Sequence, residues 1–203
     1  MLRNNIVKDV ETHWLERARH GDPDAFGQLV EAYQVAVYNL CYRMLGEEYE
    51  AEDAAQETFL RAYDAMDRYD IGRPFSTWLL SIAAHYCIDQ IRKKRMTFVH
   101  FQTLPDQEVA DPSPNPEASL SASQEQRQVR ALLGILSPAD RAAVVMYYWY
   151  DFSYEQIAET LNLTISAVKS RLHRAKGEMA TVWDEQLNQV IVSEGKRNES
   201  SAF

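Results

Sequence analysis

Residues 96–124 form a proline-rich, acidic stretch that divides the chain into two parts. Four of the seven prolines lie in it, Pro105 and three at every second position from 112 to 116, together with four acidic residues and no Lys or Arg. Such a composition cannot bury enough apolar surface to repay the entropy lost on ordering. We therefore predict an N-terminal domain at 1–95, an extended linker at 96–124, a C-terminal domain at 125–180 and a tail at 181–203.

Turn-forming residues are scarce outside that stretch, since the 203 residues contain only 7 Gly and 7 Pro. A protein of many short strands needs more turns than this, whereas helices need few. We predict an all-α fold of two helical domains.

The N-terminal domain carries clear helix signals. Asp22-Pro23-Asp24 supplies an N-cap, a proline at the first helical position and an acid in the first turn. Apolar residues follow at helical spacing as far as Met44, and Gly46 is placed to end that helix. The next helix, 51–66, has a core stripe formed by Ala55, Phe59, Ala62 and Met66.

The opposite face of that second helix is polar, apart from one leucine. Leu60 lies there among acidic and amide side chains. A single exposed leucine usually means nothing, but amid carboxylates it can mark a docking surface. The candidate docking residues are Asp53, Gln56, Glu57 and Leu60.

A loop and a long helix complete this domain. Gly72 and Pro74 interrupt the helical period, which predicts a loop at 67–75. Ser76 is placed to cap a helix that runs to Arg95 and ends in the cationic run 92–95. That run either interacts favourably with the negative end of the helix dipole or contacts phosphate, and the sequence leaves both possibilities open.

The C-terminal domain has the pattern of a helix-turn-helix. Ser137, Ser153 and Ser166 are placed to cap three helices, and a short Asn162-Leu163 turn separates the last two. The buried side of the third helix carries Val168, Leu172 and Ala175. Its outward arc carries side chains that can read base edges and contact phosphates, namely Lys169, Ser170, His173 and Arg174, with Arg171 on the flank.

The charge distribution limits how this chain can bind DNA. The net charge is -9, which repels phosphate at long range. Only the runs 92–95 and 165–176 are locally basic. We expect the chain to bind DNA poorly by itself.

Other function classes lack their signals. No apolar run could span a bilayer, and Cys41 and Cys87 form no CxxC pair, so we expect a cytoplasmic protein with reduced thiols. The five histidines fit no metal site or catalytic set, and we expect neither a cofactor nor an enzyme. The aromatic group Tyr147, Tyr148, Trp149, Tyr150 and Phe152 is predicted to be core.

Three stretches together resemble a known family: AEDAAQETFLRAYDAMDRYD, RPFSTWLLSIAAHYCIDQIRKKR and FSYEQIAETLNLTISAVKSRLHRAKGEM. The chain resembles bacterial RNA polymerase sigma factors of the extracytoplasmic-function (ECF) group, which retain regions 2 and 4 of larger sigma factors. The resemblance implies promoter recognition without catalysis. It implies three partners: core RNA polymerase through its beta and beta-prime subunits, promoter DNA, and an anti-sigma protein.

The resemblance also implies residue roles. The docking residues named above match the polymerase-binding surface of region 2. Candidates for the -10 element lie in or beside the loop and along the helix after it: Tyr69, Asp70, Arg73, Phe75, Trp78, His85, Arg92 and Lys93. Candidates for the -35 element are Ser166, Lys169, Ser170, Arg171, His173 and Arg174. Family members often carry Asn where His85 stands and Arg where Ser81 stands, which implies an unusual -10 preference.

Two rival interpretations remain. An autonomous helix-turn-helix regulator explains 137–176 but leaves the N-terminal helices without a role. A helical adaptor that meets an acidic protein explains the basic face alone. Promoter-specific transcription with core polymerase separates the sigma interpretation from both.

Overall fold

A computed structural model describes the backbone of residues 2–102 and 124–200 and the side chains of 11–97 and 125–185. The chain divides into two compact units, Met1–Pro114 and Asn115–Phe203. The described residues contain helices and no strand, so the all-α prediction is confirmed. Most of the predicted linker lies outside the described residues.

Five elements make up the first unit: α1 Leu2–Arg19, α2 Pro23–Leu45, α3 Glu48–Asp64, the short 3-10 turn η1 Met66–Arg68, and α4 Phe75–Gln102. Helix α2 packs on α1, α3 and α4, and α1 also contacts η1. The core is closed by the fully buried side chains of Leu29, Val37, Leu40, Met44 and Leu79. Helix α1 was not predicted from the sequence.

Both predicted ends of α2 are confirmed. The Asp22 side chain accepts hydrogen bonds from the backbone amides of Asp24 and Ala25, and Pro23 begins the helix. Gly46 ends it in the left-handed region at φ 87, where a residue without a Cβ is not strained. On α3 the predicted stripe is buried at Ala55 and Ala62.

Helix α4 begins and ends outside its predicted bounds. The Trp78 amide donates to the Pro74 carbonyl, so the helix starts at Phe75 and Ser76 lies inside it instead of capping it. At the other end α4 continues beyond Arg95 to Gln102. No Gly or Pro occurs in that extension, so nothing breaks the helical hydrogen bonding there.

The second unit consists of α5 Gln124–Ile135, α6 Pro138–Tyr150, α7 Tyr154–Leu161 and α8 Ile165–Ser200. The Ser137 and Ser153 caps are confirmed, the latter in a reciprocal capping box with Gln156. The Ser166 cap is wrong. The Thr164 hydroxyl accepts from the Ala167 amide, and Ser166 lies exposed within the first turn of α8.

The core of this unit contains the fully buried side chains of Leu133, Leu136, Val145, Ile157 and Val168. The predicted aromatic core is right for Phe152 and wrong for Tyr148 and Trp149, which are exposed. Tyr148 and Trp149 occupy the final turns of α6, where the consecutive aromatic residues cannot all face one core. Helix α8 continues through most of the predicted tail because no proline follows Pro138.

Candidate nucleic-acid interface

The turn between α7 and α8 has the geometry that a helix-turn-helix requires. Asn162 adopts the left-handed conformation at φ 52, which asparagine tolerates better than most residues. The Leu163 amide then donates to the Ala158 carbonyl and satisfies the end of α7. A turn of this length packs α7 and α8 against each other, and both contact α6.

Helix α8 separates a buried side from an exposed polar side, as its sequence predicts. Val168, Leu172 and Ala175 are buried, and α8 packs on α5, α6 and α7. The exposed side carries two cationic side chains, a hydroxyl and an imidazole within two turns, namely Lys169, Ser170, His173 and Arg174. These groups offer donors and acceptors to a base edge, and positive charge to phosphate.

An aromatic pair lies behind Lys169. The Lys169 ammonium lies 5.4 Å from the ring centre of Tyr154. The Tyr154 ring in turn stacks on Tyr147 at 5.3 Å, with an interplanar angle of 4°. The pKa of the nearby Glu155 carboxyl is held below its usual range, first by hydrogen bonds with its own backbone and with Ser153, and then by the charge of Lys169. Since Tyr154 and Glu155 begin α7, Lys169 lies over the start of that helix.

Arg171 has a different environment from the four exposed residues. Its Nη1 donates to Asp140 Oδ1 at 2.8 Å, and both side chains are less than a third exposed. The other Asp140 oxygen accepts from the Ser137 hydroxyl at the start of α6. This arginine therefore ties α8 to α6, a role that the sequence analysis did not predict.

The loop between η1 and α4 is held closed by its own hydrogen bonds. Asp70 Oδ1 accepts from the Gly72 amide at 2.9 Å, and the Arg73 amide donates to the Asp70 carbonyl. The Tyr69 hydroxyl donates to the Arg73 carbonyl across the loop. Asp70 and Arg73 therefore face solvent on a loop of defined shape.

Tyr69 and Phe75, both predicted to contact the -10 element, lie inside the protein. Tyr69 is 1% exposed and Phe75 is 3% exposed. Their rings meet edge to face at 5.4 Å, and Trp78 packs on both. In this conformation neither ring offers a surface to DNA, because aromatic residues at the two ends of a short loop are drawn into the apolar core beneath it.

Helix α4 carries the remaining -10 candidates. Trp78 is half-buried, while His85 is exposed and its Nδ1 lies 2.9 Å from the Ser81 carbonyl. In the cationic run Arg92 lies 3.9 Å from Asp89, and Lys94 pairs with Glu50 of α3. Lys93 is exposed and has no ion pair with any residue whose side chain the structure describes.

The predicted docking residues on α3 form a continuous exposed strip. Asp53 and Gln56 are exposed, and Leu60 is 61% exposed, as its position opposite the core stripe predicts. Glu57 pairs with Arg61 one turn later at 2.7 Å. An exposed leucine among charged groups gives this strip an apolar centre.

A groove between α2 and α3 adjoins that strip and was missed by the sequence analysis. Its volume is 390 Å³, and Gln56 belongs to both the groove and the strip. Val35 is 67% exposed on the α2 side of the groove, roughly half a helical turn from the buried side chains of α2. That position could have been found in the sequence as an isolated apolar residue. The remaining lining is Val30, Gln34, Tyr38, Glu52, Ala55 and Phe59.

The described part of the chain holds neither a metal centre nor a membrane-spanning helix. No group of three His, Cys, Asp or Glu side chains there could hold a metal ion. Among residues 2–102 and 124–200, no helix has both the length and the apolar character needed to cross a membrane.

Two family models match the two units. The model for Sigma-70 region 2 matches residues 29–97, and the model for Sigma-70, region 4 matches residues 126–179. The first match includes the loop and the α3 strip, and the second includes the α8 face.

Individual relatives agree with these matches. The ECF RNA polymerase sigma factor SigW of Bacillus subtilis is 38% identical over 170 residues, covering 80% of this chain and 90% of SigW. The RNA polymerase sigma factor CnrH of Cupriavidus metallidurans is 31% identical over 183 residues, covering 87% of this chain and 96% of CnrH.

Solved structures share the fold. CnrH in complex with the cytosolic domain of CnrY matches with a TM-score of 0.64 at 26% identity, over 87% of this chain and 98% of that one. The sigma factor RpoE in complex with the anti-sigma factor NepR from Bartonella quintana matches with a TM-score of 0.61 at 22% identity, over 78% of this chain and 96% of that one.

Proposed function

The chain belongs to the ECF group of the sigma-70 family of RNA polymerase sigma factors, and on that premise we propose how its two units divide the work of promoter recognition. As a sigma factor it directs RNA polymerase to promoters for transcription initiation. The first unit binds polymerase and reads the -10 element, and the second unit reads the -35 element.

The exposed face of α8 is the observation that carries this proposal. Lys169, Ser170, His173 and Arg174 face solvent while the opposite side of the same helix is buried. A helix so presented fits the major groove, where amide, hydroxyl and guanidinium groups distinguish base pairs. Arg171 is left out of the proposed contact set because Asp140 already holds it.

The loop 69–74 is proposed to receive an unpaired base of the -10 element. Asp70 and Arg73 supply its exposed polar groups, and Trp78 beside it is half-buried. Extracting a base from the stack costs a few kcal/mol, which contacts to the base edge and face offset. Tyr69 and Phe75 act from below by fixing the loop's shape, and His85, Arg92 and Lys93 extend the DNA surface along α4.

The α3 strip and the neighbouring groove are proposed to dock on core polymerase. Leu60 and Val35 supply apolar area, and the acids around them favour a partner with basic side chains at the rim. An anti-sigma protein is a natural further partner, because the relative RpoE is described in complex with the anti-sigma factor NepR. We propose that the chain acts in the cytoplasm and leaves all chemistry to polymerase.

Run-off transcription tests the proposal. Core polymerase with this chain should give transcripts from a cognate promoter, found by mapping start sites after overexpression. The double variant Lys169→Ala and Arg174→Ala should lose most of that output, whereas the matched double variant Arg127→Ala and Glu125→Ala on α5 should keep it.

Gel shifts separate the sigma factor from the rival regulator. A net charge of -9 weakens DNA binding by the free chain, so a sigma factor should shift promoter DNA only with polymerase. Tight and specific binding by the isolated chain would overturn the proposal in favour of an autonomous helix-turn-helix regulator.

A further inference from the structure

Helix α1 reaches the base of the loop 69–74. It packs on α2 and on η1, the turn that leads directly into the loop. From α1, the Glu11 carboxylate accepts a hydrogen bond of 2.5 Å from the Tyr33 hydroxyl of α2. This bond crosses between two helices, and Glu11 itself is half-buried.

A series of contacts continues from Tyr33 to the loop. The Tyr33 ring meets Phe75 edge to face at 5.3 Å, and Phe75 meets Tyr69 at 5.4 Å. The Tyr69 hydroxyl donates to the carbonyl of Arg73, one of the two exposed polar residues of the loop. Two ring contacts and two hydrogen bonds therefore connect Glu11 to the proposed reading surface.

The electrostatics of this cluster keep both hydroxyls as donors. Burial first, then the Glu11 hydrogen bond and charge, raise the pKa of Tyr33 far above its usual value. Burial first, then the charges of Glu11 and Asp70, raise the pKa of Tyr69 to about 12. Both phenols are thus protonated at neutral pH, and a hydrogen bond to a carboxylate is stronger than one between neutral groups.

We propose that Glu11 is a positioning residue for -10 recognition, acting through Tyr33 on the aromatic cluster that shapes the loop. This inference rests on the proposed function of the loop. When the bond is lost, the Tyr33 ring is freed at one end, and the cluster fixes Tyr69 and the Arg73 carbonyl less well. Selectivity for the captured base then falls, while the α3 strip and the α8 face, which lie on other elements, keep their geometry.

The test compares full-length variants in polymerase holoenzyme on paired promoters. One pair differs by a single base pair in the -10 element, and the other differs by a single base pair in the -35 element. The variants are Glu11→Leu, Glu11→Gln and Tyr33→Phe, with Glu16→Leu as a matched control, because Glu16 is an exposed carboxylate on the same helix. Thermal unfolding of each variant is recorded alongside.

We expect Glu11→Leu and Tyr33→Phe to reduce the transcript ratio of the -10 pair about fivefold, with the -35 ratio unchanged. This is less than the roughly tenfold or larger effect of a charge-assisted hydrogen bond itself, because the bond acts on the loop only through the aromatic cluster. Glu11→Gln, whose amide oxygen still accepts from Tyr33, should restore much of the -10 ratio, and Glu16→Leu should keep all of it. An unchanged -10 ratio in Tyr33→Phe overturns the proposal. An equal fall in both ratios also overturns it, because a loss of folded protein lowers transcription from all promoters alike. Absence of promoter-specific transcripts with the unmodified chain overturns the proposed function itself.

Discussion

Arg171 on α8 and Asp140 on α6 form an ion pair of 2.8 Å between residues 31 positions apart in the sequence. Asp140 also accepts from Ser137, the residue that caps α6. One carboxylate thus joins the start of α6 to the flank of α8. The pair fixes how the proposed DNA-reading face of α8 is presented, so we expect its loss to change stability first.

Breaking this pair is expected to destabilise the second unit. Arg171→Met should lower its free energy of unfolding by about 1 to 3 kcal/mol, because it leaves a mostly buried carboxylate without its cation. A double-mutant cycle with Asp140→Asn, followed by urea unfolding, measures the coupling between the two side chains. Full promoter-binding loss with no change in unfolding would contradict this assignment and return Arg171 to the DNA contacts.

The cap of α8 gives a matched pair of variants. Thr164→Ala should cost about 1 kcal/mol, because the Thr164 hydroxyl accepts from the Ala167 amide at 3.1 Å. Ser166→Ala should change the free energy of unfolding by less than about 0.5 kcal/mol, since its side chain is exposed inside the first turn. Chemical unfolding followed by circular dichroism measures both. The reverse order of effects would restore Ser166 as the cap.

Local signals in the sequence predict much of this fold. The caps at Asp22, Ser137 and Ser153 and the short turn at Asn162 depend on neighbouring residues only, and all four are present. The buried side of α8 follows in the same way from helical periodicity.

Features that depend on tertiary packing were missed. A loop can be predicted from Gly72 and Pro74, but the burial of Tyr69 and Phe75 beneath it depends on rings contributed by other elements. The hydrogen bond between Glu11 and Tyr33 likewise joins two helices through residues 22 positions apart in the sequence. No local pattern encodes such a contact. The sequence alone therefore could not distinguish the exposed candidates for the -10 element from Tyr69 and Phe75, which are buried beneath the loop.

The α3 strip can be tested without disturbing the core. Replacing Gln56, Glu57 and Leu60 together by alanine should abolish binding to core polymerase and leave helicity unchanged, because none of the three is buried. Asp64→Ala, an exposed acid near the end of the same helix, is the control that should bind normally. Co-purification with core polymerase and circular dichroism are the measurements. Retained binding by the triple variant would move the interface elsewhere.

Asp22 predicts a pH dependence of stability. Its hydrogen bond from the Ala25 amide, and then the one from Arg17, hold the pKa of the carboxyl below its usual 3.8. The stabilisation is therefore complete above that value and lost as the pH falls through the lower folded pKa. Asp22→Asn keeps a good N-cap but cannot titrate, so its Tm should change less than that of the unmodified chain between about pH 6 and pH 2. Parallel acid transitions would exclude Asp22 as a source of the dependence.

Arg174 and Lys169 are expected to act differently on the -35 element. Arg174 is exposed on α8 and is proposed to read a base, so Arg174→Ala should cost about 1 to 3 kcal/mol on the cognate element and relax selectivity at one base pair. Lys169 lies over Tyr154 toward the start of α7, so its charge is placed for phosphate, and Lys169→Ala should weaken all elements alike. The slope of the logarithm of the binding constant against the logarithm of salt concentration should also fall by about one for Lys169→Ala. Holoenzyme binding to a panel of -35 variants at several salt concentrations measures both effects, and a uniform loss with Arg174→Ala would show that this arginine also touches only the backbone.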